Sequence, residues 1–104
     1  MNDDILHELH DSVFNWDKSK NLLNIEKHGI SFKEAATVFL DPYAALLDDI
    51  KHSFDEERFK IIGYSEKLNL LMVCHCYREN GEVIRIISAR KATKAEEGLY
   101  GGAK

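Results

Sequence analysis

Proline is almost missing from this chain, with Pro42 its single instance, and no low-complexity tract, internal repeat or polar linker divides the sequence. The expectation is one domain, residues 14–104, preceded by a frayed lead-in or short helix over 1–13 that shows no clean periodicity. No apolar run approaches the roughly 20 residues that a membrane-spanning helix needs. The first ten residues are acidic, the wrong sign for a signal or transit peptide, so a cytoplasmic protein is expected. The two cysteines, Cys74 and Cys76, lie two apart in an apolar run. On a strand they would share a face without the geometry for a mutual disulfide, and they read as small hydrophobes. His7 and His10 do not make the His-Glu-x-x-His zinc motif, so neither metal nor cofactor is expected.

What is present is ordinary for a globular protein: 104 residues, 44% apolar and 31% charged. A chain of that length buries roughly two-thirds of its unfolded surface. The net charge of −4 is unevenly spread. Residues 1–57 carry five Lys/Arg against thirteen Asp/Glu, and residues 58–104 carry nine against five. A basic working surface on an acidic body fits that asymmetry, as does a coincidence of solvated faces.

Phe14 and Trp16 alternate with Asn15, which suggests a brief strand. Asp17 is placed to cap a helix over Lys18–His28, and Gly29 can end it in the left-handed conformation. Ser31 followed by Glu34 reads as a capping box that opens a second helix, stopped by Asp41-Pro42. The pattern then changes to strand-like runs at Tyr43–Leu47, Phe59–Tyr64, Leu68–Tyr77 and Val83–Ala89. Asn80-Gly81 is a favoured two-residue hairpin turn between the last two. Thr93 with Glu96 is another capping box, opening a short C-terminal helix weakened by Gly98, Gly101 and Gly102. The expected fold is therefore α+β: two N-terminal helices on one face of an antiparallel sheet of about four strands, then a short helix. The other face is left for function.

A turn at Asn80-Gly81 pairs His75 with Ile86, Val73 with Ser88 and Leu71 with Arg90. His75, Tyr77, Ser88 and Arg90 would then share one face and Arg78 and Arg85 the other, relations that a bulge would reverse. Arg58, Arg78, Arg85 and Arg90 all border this sheet. Guanidinium forks match phosphate oxygens, and they equally pair with surface carboxylates such as Glu57 or Glu82. His52 and His75 are the histidines placed for proton transfer near neutrality, although a strand histidine can also be a buried structural one. Lys20, Asn24 and Lys27 fall on one face of the first helix.

The run Phe14-x-Trp16-Asp17-x-x-Lys20-Asn21-x-x-Asn24-x-x-Lys27-His28-Gly29-x-Ser31-Phe32-x-Glu34-Ala35 closely resembles the N-terminal signature of BrnT-family toxins. The likeness continues through Val38-Phe39-x-Asp41-Pro42, His52-Ser53, Glu57-Arg58-Phe59, Ile62-Gly63, Arg78 and Arg85–Thr93, and ends with Glu96 and Tyr100. It implies a ribonuclease toxin of a type II toxin–antitoxin system with a RelE-like fold. The implied partner is a BrnA-like ribbon-helix-helix antitoxin, through which alone DNA would be bound. A metal-independent reaction, in which the RNA 2′-hydroxyl attacks its own phosphate, would use His52 or Glu57 as base, His75 as acid and Arg58, Arg78 and Arg85 as phosphate clamps. Lys20, Lys27 and Arg90 would contact RNA. The alternative expectation is a non-catalytic module that binds an antitoxin as co-repressor.

Overall fold

The computed structural model describes residues 3–48 and 57–101. Among these residues a single sheet has six strands: β1 (Asp4–Leu9), β2 (Ser12–Asp17), β3 (Ala45–Asp48), β4 (Phe59–Tyr64), β5 (Leu70–Arg78) and β6 (Val83–Lys91). Their spatial order is β1-β2-β6-β5-β4-β3, antiparallel except where β2 runs parallel to β6. The expected four-stranded meander is its larger half. Of the additional pair, β1 comes from the segment expected to be a lead-in or short helix, and β2 contains the brief strand expected around Phe14 and Trp16.

Helix α1 (Lys18–His28) has the expected bounds. Asp17 accepts from the Lys20 amide at 3.1 Å, and Gly29 takes φ 73° while its amide reaches the Ile25 carbonyl. Such a cap contributes about 1 kcal/mol. Helix α2 (Phe32–Thr37) starts at Ser31, whose hydroxyl accepts from the Glu34 amide at 3.0 Å, and continues as a 3-10 turn to Leu40. The expected return half of this capping box is replaced. Glu34, almost fully buried, accepts from Ser65 Oγ at 2.7 Å and Asn69 Nδ2 at 2.8 Å, clamping the β4–β5 turn to the helix.

Both helices pack on one face of the sheet. Phe32, Ala35, Ala36 and Val38 meet Phe14 and Trp16 of β2, Ile86 and Ala89 of β6, Val73 of β5 and Ile61 of β4 in one buried cluster. Gly63 lets β4 pass beneath: a Cβ there would lie 2.9 Å from both Ala44 Cβ and Val38 Cγ1. Helix α1 is less conventional, since it buries Asn24 and exposes Leu22, Leu23 and Ile25.

The β5–β6 hairpin turns through four residues, Glu79–Glu82, rather than two. Glu79, Asn80 and Gly81 all have positive φ, and β5 pairs up to Arg78 opposite Val83. His75 opposite Ile86 follows the expected register. A bulge at Ile87 then shifts it, so that Cys74 faces Ser88, Val73 faces Ala89 and Met72 faces Arg90. The C-terminal Thr93–Glu96 capping box is complete, but Lys94–Leu99 is a 3-10 segment rather than an α-helix.

Candidate phosphate-binding face

The bulge decides which side chains meet. Because partners across a ladder share a face, Asn15, Arg85 and Cys76 form one row on the helix-free side. Lys60, Cys74 and Ser88 form the next, and Ile62, Met72 and Arg90 a third. Without the extra residue, Arg90 would point into the helix side. The expected separation of Arg90 from Arg78 and Arg85 is therefore corrected: all three lie on the helix-free face with Lys60.

Two grooves cross this face. One is bounded by Arg58, Lys60, Cys74, Ser88 and Arg90 over a floor that includes Met72. The other, about 440 Å³, is bounded by Asp4, Leu6, Asn15, Arg78, Glu79 and Arg85. Five cations thus line two adjoining depressions. Arg85 and Arg90 pair with Asp4 and Glu96 rather than with Glu57 or Glu82. Arg85 Nη1 and Nη2 donate to Asp4 at 3.1 and 3.3 Å, and Nη1 also reaches Asn15 Oδ1 at 3.3 Å. Arg90 donates to Glu96 at 2.8 and 2.9 Å, which holds the Glu96 carboxyl down at about 2, first through that hydrogen bond.

His75 lies on the opposite side, apart from these cations. It is fully buried, ringed by Phe39, Phe59 and Tyr77 at centroid distances of 4.9, 6.1 and 5.3 Å. Its Nδ1 approaches the Val73 carbonyl at 3.4 Å, and Nε2 has no hydrogen-bond partner. Burial lowers its pKa to about 4, only partly opposed by that carbonyl. A neutral ring sealed from solvent is poorly placed to hand on a proton. The expected general acid is a core residue.

Lys20 and Lys27 are exposed on α1, on the helix side, and do not join the grooves. Asn24, between them, is not part of an exposed stripe: its amide is spent inside, on Ile30 and Ala89. Glu57 is exposed, just before β4 and next to Arg58. His52 lies outside the described residues. Asn15 and Lys60 are contributions that sequence reasoning missed. The alternation around Phe14 and Trp16, which turns Asn15 away from the core, was the signal for the first.

Helices on one side of a sheet and guanidinium groups in grooves on the other define an α+β protein with a basic sheet face. The sequence matches the family described as "Ribonuclease toxin, BrnT, of type II toxin-antitoxin system" over residues 16–96, and the chain belongs to that family. The crystal structure of the Brucella abortus ribonuclease toxin BrnT is similar, with a TM-score of 0.57 and 25% identity over 76% of this chain and 94% of that one. No curated protein matches. A type II system pairs its toxin with an antitoxin, so membership implies such a partner. Among the described residues no helix is long and apolar enough to cross a membrane.

Proposed function

We propose that this chain is a metal-independent RNA endonuclease whose substrate lies across the helix-free face. The observation that carries the reading is the convergence of Arg58, Lys60, Arg78, Arg85 and Arg90 on the two grooves. In this chemistry the 2′-hydroxyl attacks the adjacent phosphorus and the 5′-oxygen leaves, giving a cyclic phosphate and a 5′-hydroxyl. Negative charge builds on the non-bridging oxygens, where fixed guanidinium donors stabilise it most. Arg85 and Arg78 are the clamps in one groove and Arg58 in the other.

A base for the 2′-hydroxyl comes from the segment leading into β4, as His52 or Glu57. Assay of His52→Ala and Glu57→Ala side by side decides between them, because losing the base costs about 10²–10⁴ in rate. The proton for the leaving oxygen is assigned to Lys60, an ammonium on the same face, in place of His75. Lys20 and Lys27 have no part in this surface. The reading extends to a RelE-like arrangement and to a BrnA-like ribbon-helix-helix antitoxin that covers the basic face, with DNA contacted only by that antitoxin.

The test is cleavage of bare RNA by the purified chain in excess EDTA. RNA should be cut and DNA of the same sequence left intact, since DNA lacks the nucleophile. Strict dependence on magnesium would overturn the mechanism. Absence of any cutting, with an antitoxin still bound, would favour the non-catalytic co-repressor instead.

A further inference from the structure

Two arginines of the helix-free face hold carboxylates through both terminal nitrogens, but the pairs differ in kind. Glu96, which holds Arg90 at 2.8 and 2.9 Å, also accepts from the Thr93 amide and completes a capping box, so it is fixed from two sides. Asp4, which holds Arg85 at 3.1 and 3.3 Å, sits exposed on β1, the edge strand of the sheet. Its contacts to Arg85 are longer. The family match begins at residue 16, within β2, so Asp4 and all of β1 lie ahead of it.

A carboxylate seated on both arms of a guanidinium fork occupies the place that two non-bridging phosphate oxygens would take. Asn15 Oδ1 braces the same Nη1 at 3.3 Å, and Arg78 lines the same groove. We propose that the Arg85 fork is a phosphate subsite for RNA and that Asp4 fills it in the free protein as a built-in competitor. The inference rests on the ribonuclease reading and deepens it. RNA binding then exchanges one charge-assisted pair for another. Displacing an exposed carboxylate of this type costs at most about fivefold in affinity.

The test measures binding of a short single-stranded RNA carrying 2′-O-methyl groups, which removes the nucleophile, to the full chain by fluorescence anisotropy. Asp4→Asn should tighten binding by roughly two- to fivefold. Glu8→Gln removes one charge from the same strand and face without touching the Arg85 fork, and should change binding less. In an Arg85→Ala background the gain from Asp4→Asn should vanish. The proposal is overturned if Asp4→Asn leaves binding unchanged or weakens it, if Glu8→Gln matches it, or if the gain survives loss of Arg85. A parent protein that cuts RNA while Asp4→Asn is neutral sinks the subsite alone. A parent that neither binds nor cuts RNA sinks the ribonuclease reading and this inference together.

Discussion

Asn24 on α1 grips both backbone groups of Ala89 on β6, donating to its carbonyl at 2.8 Å and accepting from its amide at 3.2 Å. Strand β2 pairs with β6 only as far as Arg85, so beyond that point the side-chain amide does the work of a neighbouring strand. It does so just past the bulge that turns Arg90 outward. Asn24→Ala strands three buried backbone groups, the Ile30 carbonyl included, and should cost about 2–4 kcal/mol. A thermal melt should show a fall of roughly 10–20 °C. A change below a few degrees would mean that water replaces the amide.

His75→Phe separates packing from proton transfer. The phenyl ring suits the aromatic surroundings, so the variant should fold and cut RNA within about threefold of the parent, below ~1 kcal/mol in the barrier. A loss of a hundredfold in folded protein would return His75 to the mechanism.

The same residue sets an acid sensitivity. Its folded pKa, about 4, lies below the ordinary 6.5 of the unfolded chain, so the unfolded state binds the extra proton between those values. Stability is therefore full above pH 6.5 and declines as the pH falls toward 4, by as much as ~3 kcal/mol from this group. Denaturant midpoints measured across that window should fall for the parent, and His75→Phe should flatten the slope.

Arg85 and Arg90 should respond differently to truncation. Arg85→Ala should cut cleavage by on the order of a hundredfold or more, with little change in Tm, and Arg85→Lys should restore it in part, keeping the charge but not the fork. Arg90→Ala should act mainly on stability. Glu96 is held at about 2, below its ordinary 4.5, so the pair contributes above pH 4.5 and is lost as the pH falls toward 2. Equal catalytic losses in the two variants would contradict this division.

The sequence made α1, the start of α2 and β4 legible because each rests on local chemistry: Asp17 and Gly29 at the ends of a helix, Ser31 before another, a β-favouring run at Phe59–Tyr64. It concealed β1. Ile5, His7 and Leu9 do alternate inward, but one of them is a histidine, resting on Trp16 at 5.4 Å, and Leu6 faces outward among them. The turn that follows uses His10 at φ 55° in place of glycine or asparagine. The site was half visible. The arginines announced themselves as charged residues in strands, whereas their common face depends on one unpaired residue, Ile87, that alternation alone cannot locate. Asn24 stood in plain sight in the motif, yet its partner at Ala89 is a tertiary contact with no local signal.

The parallel contact between β2 and β6 joins Asn15 to Arg85, about 70 positions apart. Closing so distant a pairing comes late, because the intervening chain must first be ordered. Synthesis runs from the N-terminus, so the half bearing Asp4 and Asn15 emerges well before the arginine it will meet. A polypeptide released before Arg85 is made would thus lack one wall of the groove however well its first half folds.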